Sequence, residues 1–195
     1  MAREEQKMRS DSVRQAILDT ALEIGLSEGF EEVSVRKIIN KMKYSTGVVY
    51  HYFKDKQEII DALEATESER FRDIIAGMLD EEKDSVYNSM RVFHRTMRLA
   101  REEPEKYNLI VLHKYARNKP SPPLWLSYLA GKLKKDMEAG TVRQMDAGRA
   151  AFSLWSSFIG FNLMISRLSE LSDEEAEKMF ETQAEIILRG ITNHE

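Results

Sequence analysis

The sequence predicts an all-α protein, and three observations lead to that prediction. Apolar residues recur three and four positions apart along nearly all of the 195 residues, without the β-branched alternation that is typical of strands. Only nine glycines and four prolines interrupt this pattern. Two capping boxes, "DKQE" from Asp55 and "SDEE" from Ser172, mark the starts of helices.

The first third of the chain is predicted to contain three short helices and the start of a long one. The first helix begins at a start signal in residues 10–12 and ends at Gly29. Ser34 is placed to cap the second helix, and the third occupies residues 46–53. Helices this short are not stable alone, so we expect them to pack together and against the long helix that Asp55 begins.

The remainder of the chain is predicted to form a larger helical domain. We place the boundary so that residues 1–54 form the first domain and residues 55–195 the second. Pro104 suits the first turn of a helix, and the proline-rich loop "NKPSPP" separates two helices. Beyond the long fourth helix, helices are predicted at 84–102, 104–117, 123–139, 146–168 and 173–191.

The composition excludes several classes of protein. The absence of cysteine excludes a disulfide framework, a cysteine-based zinc site and a thiol nucleophile. Four histidines without a pair at ligand spacing argue against a metal, and we predict no cofactor. No nucleophile motif or phosphate loop indicates catalysis. Without a secretory signal or an apolar run near the roughly 20 residues that a membrane span requires, we expect a soluble cytoplasmic protein.

The net charge of −4 conceals a basic segment in an acidic chain. Six lysines and arginines, but only the acidic residue Asp55, lie between Val33 and Gln57. A basic patch on an acidic body is typical of a phosphate-binding surface. Judged by charge alone, a chance cluster on a solvated face explains the segment equally well.

The same segment contains "STGVVYHYF", in which aromatic rings stand beside lysines. A short helix, a tight turn and a second short helix form a helix-turn-helix, whose second helix fits the major groove of DNA. We expect Ser45 to cap this second helix and to leave its first N–H groups facing phosphate. Tyrosine and histidine side chains can donate to phosphates and base edges. The segment therefore predicts a DNA-binding surface.

The stretch "GFEEVSVRKIINKMKYSTGVVYHYFKDKQEI" resembles the amino-terminal signature of the TetR family of transcriptional regulators. The resemblance covers about the first third of the chain, and the residues in register are Gly29, Phe30, Ser34, Ile38, Ser45, Gly47, Tyr50, Tyr52, Phe53 and Lys56. Four residues depart from the pattern. Ile39 and Met42 replace small alanines, Lys43 replaces a turn glycine, and Gly25 stands where an aromatic residue is common.

The resemblance implies that the helix-turn-helix contacts DNA, and in the absence of a catalytic motif we expect no enzymatic step. Arg36 and Lys37 begin the first of the two short helices, where binding to the phosphate backbone is expected. The predicted DNA-binding residues are Ser34, Arg36, Lys37, Lys43, Ser45, Thr46, Gly47, Tyr50, His51, Tyr52 and Lys56.

The resemblance also implies that the later helices bind a small molecule. Residues 61–195 contain 12 of the 17 aromatic residues and seven of the ten methionines, and methionine-rich walls adapt to an apolar or aromatic guest. Position by position, a plain core role is the alternative. The predicted effector-binding residues are Met90, Phe93, His94, Met97, Tyr107, Val111, Tyr115, Trp125, Tyr128 and Trp155.

The segment "AGRAAFSLWSSFIGFNLMISRL" carries two apolar stripes. One contains Phe158, and the other contains Phe152, Trp155, Ile159 and Leu163. A helix with two apolar faces has two internal partners, or one internal and one external. With the last helix it can form half of an intermolecular four-helix bundle. The predicted dimer-interface residues are Ala151, Leu154, Phe158, Phe161, Ile165, Phe180 and Ile187.

These patterns favour a homodimeric, ligand-responsive regulator that binds a palindromic operator in double-stranded DNA and acts as a repressor. The alternative from another class is a helical-bundle enzyme, or a carrier of an apolar small molecule. In that alternative the basic amino-terminal segment would dock another protein.

Overall fold

The computed structural model describes residues 2–113 and 124–192, and it confirms the all-α prediction over those ranges. A 3₁₀ turn, Phe30–Glu32, follows the first helix, and a π-helical turn, Asn108–Leu112, follows the sixth. The single β-bridge among the described residues joins Val142 and Thr192. The helices are α1 (Ala2–Glu28), α2 (Val35–Met42), α3 (Thr46–Tyr52), α4 (Lys56–Met78), α5 (Ser85–Glu102), α6 (Pro104–Tyr107), α7 (Leu124–Glu138), α8 (Ala147–Ile165) and α9 (Asp173–Ile191).

The described residues divide into two compact units. The first unit contains residues up to 72 together with 108–113, and the second contains 73–107 and the described residues after 113. The functional boundary that we place after residue 54 stays a prediction.

Helix α1 begins earlier than the sequence predicts. It spans Ala2–Glu28, and so it starts well before the expected signal at residues 10–12. The preceding residues, "AREEQKMR", are strong helix formers. Glu4 and Glu5 also lie in the first turn, where negative charge complements the helix dipole. These preferences outweigh the serine start signal.

The first unit is held by a small apolar core. Ile17, Ala21 and Ile24 of α1 are at most 2% exposed, which confirms the predicted apolar face of that helix. Ile38 of α2 and Val49 of α3 are completely buried. Because each short helix contributes only one fully buried apolar side chain, α2 and α3 depend on α1 for their stability.

Local capping bonds set where the helices of the first unit begin. The Ser34 hydroxyl accepts a hydrogen bond from the backbone N–H of Lys37 at 3.2 Å, as predicted. Asp55 accepts from the backbone N–H of Glu58 at 2.9 Å, and the Glu58 carboxylate accepts from the backbone N–H of Lys54 at 2.8 Å. The capping box is thus confirmed, with its return bond one residue earlier than the usual pattern.

The glycine at position 25 has a packing reason. A Cβ atom there would lie 2.3 Å from the ring of Phe30, which is far closer than packed atoms can approach. Phe30 therefore fills the space that a side chain at position 25 would need. The departure from the TetR pattern at Gly25 is accommodated by a neighbouring aromatic ring in the same unit.

The second unit has an aromatic core. The rings of Phe93 and Phe158 stack with centroids 3.8 Å apart, and Phe180 lies 5.8 Å from Phe158. Asp84 and Ser172 cap α5 and α9 through hydrogen bonds from backbone N–H groups. The second predicted capping signal, at Ser172, is thereby confirmed. Within the described ranges, no helix is long and apolar enough to cross a membrane.

Candidate nucleic-acid interface

The turn between α2 and α3 is built on an unusual backbone conformation. Lys43 has φ 57° and ψ 31°, in the left-handed region that favours glycine. It is the one non-glycine residue with positive φ in the described part of the chain. The lysine thus occupies the place of a turn glycine at some cost in strain, and its side chain is exposed.

The start of α3 is open to solvent. Ser45 occupies the N-cap position with extended backbone. It is thus the N-cap residue, as predicted, but without a capping hydrogen bond from its side chain. The first N–H groups of a helix have no partner within the helix, and Thr46 and Gly47 are exposed here. No atom lies within 4 Å of the position that a Cβ of Gly47 would occupy, so another molecule can approach the backbone closely.

The exposed face of α3 carries aromatic groups. Tyr50 is 53% exposed, and His51 is exposed beside it. The rings of His51 and Tyr52 meet edge to face, with centroids 5.0 Å apart. Val49 and Phe53 are buried beneath them. This small helix therefore presents hydrogen-bonding rings on an apolar base, as the sequence predicts.

The cations of this unit fall into two groups. Arg36, Lys43 and Lys54 are exposed and form no ion pair within the described ranges. Lys37 lies 2.8 Å from a carboxylate oxygen of Glu28 and 2.9 Å from one of Glu32. Arg36, Lys43 and Lys54 can therefore bind phosphate without giving up an ion pair of the described ranges, whereas Lys37 cannot.

The pairing of Lys37 changes the titration of the groups involved. The hydrogen bond from Lys37 to Glu28, followed in size of effect by the one to Glu32, raises the pKa of Lys37. The hydrogen bond from Lys37 and its charge lower the pKa of Glu32. Lys37 was predicted to contact DNA because of its place at the start of α2, but its ammonium group is directed to two carboxylates of the same unit.

Lys56 and Ser34 also have partners within the unit. The Lys56 ammonium group donates to the backbone carbonyl of Glu31 at 2.5 Å. Ser34 caps α2 and is half-buried. Both side chains therefore support the shape of the surface, and their contact with DNA stays a prediction.

Three exposed or polar residues near this surface were not among the predicted contacts. Tyr44 is 38% exposed in the turn, and Lys54 is exposed directly after α3. The guanidinium group of Arg14 lies 5.0 Å from the centre of the Phe53 ring. The sequence could have indicated Tyr44, because it is an aromatic residue next to Ser45 in the turn. It could not have indicated Arg14, because the position of that side chain depends on the packing of α1.

The predicted effector residues that the structure describes are buried or half-buried, apart from Tyr128. Phe93 and Met97 are 1% exposed in the core of the second unit, with Met90 and Trp155 packed against that core. His94 binds Glu177 at 2.6 Å. Tyr107 is buried, Val111 lies in the part of the π-helical turn that belongs to the first unit, and Tyr128 is 38% exposed. Tyr115 and the side chain of Trp125 lie outside the described residues.

Most of the predicted interface residues are already buried within one chain. Ala151, Phe158 and Ile165 are 1% exposed, and Leu154 and Phe180 are at most 6% exposed. Phe161 and Ile187 are half-buried. Side chains so deeply buried have little surface left for a second copy. The other predicted stripe of α8 is more open, with Phe152 62% and Leu163 39% exposed.

The two short helices α2 and α3, joined by the turn at Lys43, form a helix-turn-helix motif. Residues 17–63 match the sequence profile of the bacterial regulatory proteins of the tetR family. The match covers the helix-turn-helix and the start of α4, which is the part of the chain that resembles this family. No curated protein matches the chain.

Solved structures share the fold over nearly the whole chain. A TetR-family regulator of Pectobacterium atrosepticum has a TM-score of 0.71 at 16% identity, covering 96% of this chain and 97% of its own. The TetR-family protein CprB of S. coelicolor A3(2) has a TM-score of 0.65 at 21% identity, with 95% and 91% covered. A ketosteroid transcriptional regulator of Mycobacterium tuberculosis has a TM-score of 0.67 at 17% identity, with 93% and 95% covered.

Proposed function

We propose that the protein is a cytoplasmic, homodimeric repressor that binds a palindromic operator and is released by a small apolar or aromatic effector. The observation that carries the proposal is the exposed surface of α3 together with cations that lack ion-pair partners in the described ranges. A phosphate backbone supplies the missing charge, and the groove supplies base edges for Tyr50 and His51. The proposal includes no enzymatic step.

The exposed stripe of α8 supports dimerisation. Phe152, Ile159 and Leu163 lie on one side of the helix around Gly160, whose Cβ position has no atom within 4 Å. On α9, Met179 is 41% and Ile186 is 66% exposed. The exposure of large apolar side chains to water on two consecutive helices is unfavourable. A second copy of α8 and α9 would cover them in a four-helix bundle.

The core of the second unit supports an adaptable effector site. A cavity of about 10 Å³ lies among α5, α7, α8 and α9 and is lined by Met90, Phe93 and Phe158, among others. That volume holds about one water molecule, so an effector must displace side chains to enter. Met90 and Ile187 line the cavity and are only half-buried, and methionine repacks readily. The ketosteroid regulator that shares the fold supports an apolar class of guest.

Helix α4 is the element that we propose transmits the signal. At its start, Lys56 binds the Glu31 carbonyl of the first unit. At its end, the Met78 carbonyl accepts a hydrogen bond from Arg91 of the second unit. One continuous helix therefore contains residues of both units. An effector that prefers one position of the Met78 end of α4 shifts the population of DNA-binding states.

Two measurements test this function. Duplexes are first selected by the wild-type protein from a random-sequence DNA library, and we expect enrichment of an inverted repeat. A small molecule found by thermal-shift screening is then titrated by calorimetry into free protein and into the protein–duplex complex. If the molecule weakens DNA binding by a given factor, its affinity for the protein–duplex complex must be lower than its affinity for the free protein by the same factor. Absence of any enriched sequence would reject the DNA-binding role, and equal affinities would reject effector control alone.

A further inference from the structure

One face of α1 is apolar in the carboxyl-terminal half of the helix and basic in the amino-terminal half. Positions 7, 10, 14, 17, 21 and 24 are spaced three and four residues apart, and so they share one face. From Ile17 onward this face is buried and apolar. Before Ile17 it carries the exposed cations Lys7 and Arg14 with Ser10 between them. We call Lys7, Ser10 and Arg14 the basic stripe.

The basic stripe lies beside the end of α3. Arg14 is placed 5.0 Å from the centre of the ring of Phe53, the C-cap residue of α3. The next residue, Lys54, is exposed. Lys7 lies two turns before Arg14, about 10 Å further along α1. A row of cations therefore begins at the carboxyl end of α3 and continues away from it along α1.

The charges of the stripe are unmatched. Neither Lys7 nor Arg14 forms an ion pair with any residue that the structure describes. Glu4, three residues before Lys7, and Asp11, four residues after it, are the neighbouring acids on the helix, yet no ion pair joins Lys7 to either of them. Lys37 and Lys41 show the contrast, because each lies within 3 Å of a carboxylate of the same unit.

We propose that the basic stripe binds phosphates of the DNA backbone outside the half-site that α3 contacts. This inference rests on the proposed DNA-binding function and extends its footprint. Two arguments favour DNA as the partner. The stripe is continuous with the α3 surface through Arg14 and Lys54, and unmatched cations along a face complement a regular row of phosphates. The stripe adds affinity and contributes no sequence preference.

The test compares Lys7→Gln with Arg9→Gln. Both variants lose one exposed cation of α1, but Arg9 lies on the opposite side of the helix from Lys7. Neither side chain forms an ion pair within the described ranges, so both variants should fold. The probe is the duplex selected by wild-type protein, made with and without ten additional base pairs on each side. Dissociation constants are measured between 0.05 and 0.3 M salt.

On the long duplex at 0.15 M salt, we expect Lys7→Gln to weaken binding about fivefold for each phosphate contact that is lost. The slope of log K against log salt concentration should become shallower by about 0.9 for each lost contact. Arg9→Gln should match wild type, and trimming the flanks should abolish the difference between the variants. Arg14→Gln should repeat the result, and Asp11→Asn should strengthen binding to the long duplex.

Equal binding of Lys7→Gln and Arg9→Gln on the long duplex would overturn the proposal while leaving the helix-turn-helix function intact. A loss for Lys7→Gln that persists on the trimmed duplex would place the contact inside the half-site and would also overturn it. If wild-type protein binds no duplex selectively, both the stripe and the proposed function fail.

Discussion

Tyr50, predicted to contact DNA, is 53% exposed at the surface of the first unit, whereas Phe93, predicted to contact an effector, is 1% exposed in the second. The first unit carries its predicted contact residues on short helices, among cations that form no ion pair in the part of the chain that the structure describes. The second keeps its aromatic and methionine side chains inside a core whose cavity measures about 10 Å³. Under the proposed function, DNA recognition uses a preformed surface, whereas effector recognition requires a core that repacks.

The largest expected effect comes from the closed core. Phe158→Ala removes a ring that stacks on Phe93 at 3.8 Å. We expect a loss of about 3–5 kcal/mol in the free energy of unfolding, because the change leaves a cavity among buried rings. Urea denaturation followed by circular dichroism measures it. A loss below about 1 kcal/mol would show that this core is already loosely packed.

The next effect concerns the exposed stripe of the second unit. Phe152→Asp should leave the fold of the single chain intact, since the side chain is 62% exposed. A charge in the proposed four-helix bundle should convert the dimer to a monomer in sedimentation velocity at micromolar concentration. Ser127→Asp, an exposed position on α7, is the matched control. A dimer that survives Phe152→Asp would require a different interface.

The third effect belongs to the surface of the first unit. Tyr50→Ala should weaken binding to the selected duplex by about tenfold or more, since a base-edge contact contributes about 1–3 kcal/mol. The thermal midpoint should be unchanged. Tyr87→Ala removes a tyrosine that is 44% exposed in the second unit, and so it serves as the control. If both variants bind DNA like wild type, α3 is not the recognition helix.

The smallest expected effects on DNA binding distinguish a cation without an ion pair in the described ranges, Arg36, from the ion-paired Lys37. Arg36→Ala should lower the salt slope of DNA binding by about one unit per lost phosphate contact, whereas Lys37→Ala should change it less. Lys37→Ala should instead slightly lower stability near neutral pH. Equal reductions in the salt slope would show that DNA draws Lys37 away from its carboxylates.

The pH dependence of the Lys37 effect follows from the two pKa shifts. The pKa of Glu32 is lowered from 4.5, so its contribution is present above that value and is lost as pH falls through the folded-state pKa. The pKa of Lys37 is raised from 10.5, so its contribution is lost as pH rises through the raised value. The stability difference between wild type and Lys37→Ala should therefore shrink at both extremes. A difference that is constant with pH would indicate a packing effect.

Much of the first unit could be predicted from the sequence because its determinants are local. The capping hydrogen bonds of Ser34 and Asp55 each join residues that are three positions apart in the sequence. The exposed side of α3 follows from the seven consecutive residues of that helix. The partners of Lys37 could not be predicted in the same way. Glu28 and Glu32 come within reach only because the 3₁₀ turn brings the end of α1 back toward α2.

The second unit could be predicted as helices but not as a site. The two stripes of α8 are similarly apolar, so periodicity does not tell which one faces the core. The structure buries Phe158 and most of its stripe, and of the other stripe it exposes Phe152 and Leu163. Whether methionines and aromatic rings surround a pocket or fill a core likewise depends on contacts between distant helices, as the stacking of Phe93 on Phe158 shows.

The central claim is that two copies of the exposed α3 surface read DNA together. Hydroxyl-radical footprinting of wild-type protein on the selected duplex tests it most directly. We predict two protected regions related by a two-fold axis, with centres separated by a whole number of helical turns of about 10 base pairs. A single protected region, or uniform protection that disappears at moderate salt without sequence preference, would contradict the claim.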